Sequence, residues 1–263
     1  MHFIKVRFFC ALVGIALLAS FAPAALANHS WGNYHWARTS NPFTIKLGDN
    51  FSSSWDPYLV TASTDWSLSS VLDTTIVAGG TLPRRCRPTK GSVEVCNYSY
   101  GNNGWLGLAQ IWVSGSHITQ AVTKVNDTYF KTVKYNTPAW KNLVVCQEVG
   151  HDFGLNHQDE NFDNANLGTC MDYTSDPSTN QHPNQHDYDQ LATIYAHVDS
   201  FTTVGNSIQK LLYGLSTGDE AFNRDFGRRG EWGAEVRNNG HVALYSRDLG
   251  GSQKIFTFVI WAQ

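Results

Sequence analysis

The stretch "CQEVGHDFGLNHQD", Cys146 to Asp159, decides how the rest of the chain is read. Thr137-Pro138-Ala139-Trp140 lies just before it, a hydroxyl cap followed by proline at the first helical position. A helix is therefore expected from Pro138 to about Phe153, ending at Gly154 where a left-handed residue is wanted. On that helix Gln147 and His151 are four apart and share a face, with Glu148 on its neighbouring edge. Gly154 permits a sharp exit that can swing His157 back towards the same point. Two imidazoles and an amide oxygen can hold zinc and leave a position for water. Glu148 is then placed to take that water's proton, because zinc brings its pKa towards neutrality. Gln147 is the odd member, since a neutral amide oxygen is a poorer zinc donor than imidazole. It is expected to weaken the hold on the metal rather than abolish it.

Outside this stretch the chain is that of an ordered globular protein, with 263 residues, 42% of them hydrophobic and 16% charged. That is enough for a sizeable core in one domain, or two. A formal net charge of -3 with scattered Lys and Arg gives no footprint for nucleic acid. Lys5 and Arg7 precede the apolar run "FFCALVGIALLASF", which ends in "APAALAN" with Ala25 and Ala27 before a cut at Asn28. This pattern reads as a signal peptide over 1–27, hence a secreted, extracellular protein with no stable membrane anchor after its removal. Cys10 leaves with it. Cys86, Cys96, Cys146 and Cys170 remain and can form two disulfides in an oxidising compartment. Of three possible pairings, nearness in sequence favours Cys86 with Cys96, leaving Cys146 with Cys170.

Along the chain the expected order is a strand at Phe43–Leu47 stopping at Gly48-Asp49-Asn50, then a helix behind an Asp56-Pro57 cap. Strands follow in "TTIVAG", "VEVCNYSYG", "WLGLAQIWVSG" and "HITQAVTKVND". After the motif helix come an irregular loop from Asn156 to His182 and a last helix capped by Asn184. The histidines of that last segment, His186 and His197, read as surface or packing residues. Residues 201–263 are glycine-punctuated with short alternating runs and read as a β-rich extension of a domain spanning 28–200.

"QEVGHDFGLNH" resembles the metzincin pattern HExxHxxGxxH, and "TCMDY", Thr169 to Tyr173, looks like the Met-turn that follows it in those zinc proteases. The resemblance covers roughly residues 34–197. It implies an α+β catalytic domain of the matrixin or astacin-like kind, with a mixed twisted sheet, an active-site helix, the Met-turn and a C-terminal helix. It implies a zinc metalloendopeptidase in which Gln147, His151 and His157 face the metal and Glu148 is the general base. Tyr173 is similar to the tyrosine that sits near the metal in astacin-like members, and Met171 would lie beneath the site. The implied partner is a protein or peptide substrate, bound by a monomer and held along an edge strand by main-chain hydrogen bonds. "WLGLAQIWV" is the candidate edge.

Other readings of the same residues carry different chemistry. A weak or inactive homologue would bind peptides without cutting them. The nine tryptophans could serve a carbohydrate-binding module, although their spread over every segment suits core anchors. The loop "QDENFDNAN" offers oxygen donors for a structural Ca2+, with a solvated loop as the simpler reading. Asn97 and Asn126 stand in glycosylation sequons.

Overall fold

Runs of Val, Ile, Leu and Trp, punctuated by Gly and Asn, supply the strands of one mixed sheet, and two helices cover it. The computed structural model describes residues 28–205 and 226–263. The signal segment expected at 1–27 lies outside the described residues, as does 206–225 of the extension. In chain order the elements are β1 (His35–Trp36), β2 (Phe43–Asn50), α1 (Asp56–Trp66), β3 (Leu72–Ala78), β4 (Ser92–Tyr98), β5 (Trp105–Ser114) and β6 (His117–Asn126). They continue with α2 (Asp127–Phe130), α3 (Pro138–His151), α4 (Gln185–Ile194), β7 (Ala234–Asn238), β8 (Val242–Gly250) and β9 (Gln253–Trp261). The class is α+β, as expected.

Among the described residues the sheet runs β3-β2-β4-β6-β5-β9-β8-β7, with β1 added to β6. Strands β3, β2, β4 and β6 are parallel. From β5 onwards the pairing is antiparallel. The main core lies between the sheet and helices α1 and α3, built on Ile45, Leu47, Trp66, Val93, Ile111 and Val149. Each large aliphatic side chain buried there contributes about 1.5–3 kcal/mol. Tryptophans also act through their ring N–H groups: Trp66 donates to the carbonyl of Cys146 at 3.1 Å, Trp36 to that of Asp152 at 2.8 Å and Trp31 to that of His151 at 3.3 Å. Three indoles thus fix the backbone of α3. All the tryptophans except Trp261 are buried, the position of core anchors.

Three expectations need correction. Strand β2 does not stop at Gly48-Asp49-Asn50 but pairs through Asn50. The Asn50 side chain donates to Glu94 Oε2 at 2.7 Å, and a Cβ on Gly48 would come within 2.4 Å of that oxygen, so the glycine serves a close approach rather than a turn. Helix α1 has Trp55 at its cap position without a side-chain bond, and Asp56 sits in the first turn, where it favours the helix dipole. Most important, β5 is not an edge strand. It pairs with β6 on one side and, from Trp105 to Ser114, with β9 on the other. A continuous apolar run is the signature of a strand covered on both faces, and β5 is buried along all but its last residue.

Both disulfides are present as nearness in sequence suggested, Cys86–Cys96 and Cys146–Cys170. Among the described residues no helix is long and apolar enough to cross a membrane. Asn126 is fully buried, with its amide nitrogen donating to the carbonyls of Gly101 and Trp105 and to Asn103 Oδ1. Asn97 is held by Ser52 and Asp127. As folded, neither sequon presents a free amide for glycosylation.

Candidate metal centre and its cover

Helix α3 begins where Thr137 accepts a hydrogen bond from the Trp140 backbone and Pro138 occupies the first turn. It ends in a tight turn at Gly154, whose φ of +97° and closeness to the Tyr34 carbonyl, 2.5 Å from where a Cβ would stand, exclude any other residue without strain. That turn brings His157 back against the helix. The Nε2 atoms of His151 and His157 face each other at 3.0 Å. The Nδ1–H of His151 donates to the Leu155 carbonyl at 2.8 Å, which leaves its Nε2 with a lone pair directed at His157.

The two histidines are buried, and burial lowers both: His151 to about 3, and His157 well below the usual range with His151 adding to the effect. They are neutral at neutral pH, the state in which imidazole binds a metal. Tyr173 is placed differently from the expectation. Its hydroxyl lies 2.6 Å from His157 Nδ1, the ring nitrogen away from His151, so it acts on the histidine rather than facing the point between the two rings. Met171 is buried beneath α3, against Gly150 and Trp66. The Met171 carbonyl accepts from Gln158 N at 2.6 Å, joining this turn to the His157 segment. The Cys146–Cys170 bond ties the same turn to the helix.

Without a cation the histidines can form a satisfied chain, with the Tyr173 hydroxyl donating to His157 and His157 to His151. The carboxylates cannot. Both oxygens of Glu148 and Oδ1 of Asp152 are buried with no hydrogen-bond partner, as is the amide nitrogen of Gln147. Asp152 keeps one bond, from the Thr123 hydroxyl at 2.8 Å. Burial, and then Asp152, pushes the Glu148 carboxyl well above its usual range, and burial does the same to Asp152. Two acids four apart on one helix repel when both are charged. Such a pair needs protons or a positive partner. Asp152 went unnoticed in the sequence, although its spacing from Glu148 is itself the signal.

The donor set fits zinc. With metal–nitrogen distances of ~2.0–2.1 Å, two ligands of one tetrahedral ion lie roughly 3.3 Å apart, near the separation of the two Nε2 atoms. Gln147 shares the His151 face of α3 and lines a cavity of about 320 Å³ together with Trp140, Leu143, Tyr173 and Ile260. In the acidic loop the Asp159 carboxylate accepts from the Asn161 backbone at 2.9 Å and from the Asn164 side chain.

The C-terminal strands cover this centre. The Phe258 ring of β9 stacks on His151, centroids 4.2 Å apart and planes within 14°. Arg237 of β7 donates to Asn156 Oδ1 at 3.0 Å and pairs with Glu160. His241 stacks on Phe162, centroids 3.9 Å apart. Nothing in the motif foretold these residues. No known protein-family model matches the chain, and no curated protein is similar enough to match it.

Proposed function

We propose that the chain is a secreted zinc-dependent metalloendopeptidase of metzincin-like design, whose cleft is closed in this conformation by its own C-terminal hairpin. The observation that carries the reading is a fully buried Glu148 without a partner on the helix whose His151 meets His157 Nε2 to Nε2 at 3.0 Å. His151, His157 and Gln147 would hold the ion. When bound there, zinc would polarise a peptide carbonyl and acidify water. Glu148 takes the proton from the attacking water as its oxygen bonds to the carbonyl carbon, then delivers it to the amide nitrogen as the C–N bond breaks. Tyr173 holds the His157 ring through Nδ1 and so fixes the direction of Nε2. Gly107 of β5 gives Glu148 room, since a Cβ there would lie 2.9 Å from Glu148 Oε1.

Cleavage of casein by the purified protein, lost on chelation, restored by zinc and abolished in Glu148→Ala, is the test. A chain that binds no zinc, or cuts equally well without Glu148, would overturn the reading.

A second reading rests on β9. An extended substrate adding to β5 would need the place that β9 already fills in antiparallel register from Trp105↔Trp261 to Ser114↔Gln253. If the hairpin never leaves, the protein is a non-cutting homologue that presents the rim of the remaining cavity to a peptide. Loosening the hairpin separates the two: it raises hydrolysis in a closed protease and leaves a binder inactive.

A further inference from the structure

His29 packs against α4 in a group of side chains that the centre above does not use. His29 and Asp187 are buried and His186 is partly so. His29 Nε2 lies 3.3 Å from Asp187 Oδ1, within range of a hydrogen bond but out of line for one. Both ring nitrogens of His29, Nδ1 of His186 and Oδ1 of Asp187 are buried without a partner. One ligand atom from each of the three residues lies within 4.8 Å of the others.

The rest of each group is tied down. Asp187 Oδ2 accepts from the Thr169 hydroxyl and from Asn184 N at 2.7 Å. His29 N donates to Gln190 Oε1 at 3.0 Å, and its carbonyl accepts from Asn156 N at 2.5 Å. The unpaired atoms are therefore held in place rather than left loose. An imidazole buried with neither nitrogen bonded is costly, and here an unpaired carboxylate oxygen and a second imidazole share the space. Burial, and then His186, lowers His29 to about 4, so its ring is neutral and carries a lone pair.

A second histidine–carboxylate group gives a control within the same molecule. His35, His117 and Asp199 also converge. There the atoms are satisfied: His35 Nδ1–H donates to the Asn33 carbonyl at 2.7 Å, His117 Nε2 lies 3.2 Å from Asp199 Oδ1, and Arg38 neutralises Asp199 at 3.1 Å. That group needs no ion.

We propose that His29, His186 and Asp187 form a second site for a borderline divalent cation such as zinc, with a position open to water on the His186 side. Imidazole and carboxylate donors suit zinc, and a three-residue set with one open position is a common arrangement for it. The cation acts as a staple. It joins the amino-terminal segment, which bonds to Asn156 beside the His157 turn, to Asp187 and through Thr169 to the Met171 turn, whose backbone N–H donates to the Thr169 hydroxyl at 3.0 Å.

The test uses the full chain, stripped by chelator and titrated with zinc, with bound metal counted by elemental analysis and folding followed by circular dichroism. His186→Gln, which leaves the Asn184–Asp187 cap intact, and His29→Gln are each expected to remove one zinc per chain or weaken that class at least tenfold. They are also expected to reduce the zinc-dependent rise in melting temperature. The zinc lost in His151→Ala should be a different one, retained by His186→Gln. Unchanged zinc number and affinity in a folded His186→Gln chain would overturn the proposal and leave the three atoms to water, and this variant decides alone if His29→Gln does not fold. Failure of the protease reading shows separately, as an unchanged zinc number in His151→Ala.

Discussion

The two long sides of β5 are covered by strands of different origin. On one side β6 follows directly in the chain, and Ser114 pairs with His117 across a short turn. On the other side β9 arrives from the far end of the sequence and brings Phe258 onto His151. The first pairing builds the sheet on which α3 rests. The second builds a lid over the residues that α3 presents, so the same strand serves as floor on one edge and as docking rail on the other. The difference teaches that the motif-bearing half and the covering half can be perturbed separately, and the experiments that follow are ordered by the size of effect expected.

The largest effect belongs to the motif-bearing half. Glu148→Ala should lower hydrolysis by about 10²–10⁴-fold, the usual contribution of a positioned general base, without loss of zinc. A smaller decrease, measured as initial rate on a generic protein substrate, would place the base elsewhere. Replacing Cys146 and Cys170 together by serine should cost about 2–5 kcal/mol in denaturant unfolding, since the bond ties α3 to the Met171 turn. Removing Cys146–Cys170 should also weaken zinc binding and removing Cys86–Cys96 should not; equal zinc affinity in the two variants would mean that the first bond does not support the centre.

Gln147→His should raise zinc affinity by roughly 10–100-fold, the scale on which metal sites respond to improved ligand support. Unchanged affinity in a competition titration would mean that position 147 does not face the ion. The smallest effect, and the one that addresses the lid, is Arg237→Ala. This half-exposed ion pair to Glu160 and the bond to Asn156 contribute only ~0.2–1 kcal/mol. If the hairpin closes a working cleft, hydrolysis should rise about two- to five-fold, in keeping with that loss. A decrease, with normal folding, would break the comparison by making the hairpin part of the working site.

Much of the helix-borne half could be read in advance. Thr137 and Asn184 each cap a helix where their side chains accept backbone bonds, Gly154 takes a left-handed turn, and His151 and His157 come together as their spacing implied. Tyr173 bonds His157 through the ring nitrogen away from His151, a direction that depends on how the Met171 turn docks rather than on its distance along the chain. Asp152 was legible and overlooked. His186 read as a surface or packing residue, since a lone histidine on a helix gives no hint that His29 will arrive beside it.

By itself the sequence determined what depends on interactions a few residues apart: helix starts and stops, the face shared by Gln147 and His151, and the short-range pairing of Cys86 with Cys96. Only the tertiary structure decided which strand lies beside β5, where Phe258, Arg237 and His29 come to rest, and that the side chains of Asn97 and Asn126 are occupied. The physical reason is that a strand's pattern of apolar residues records that it is covered but not by what. Its partner is chosen by register and shape across the whole sheet, between segments with no local trace of each other.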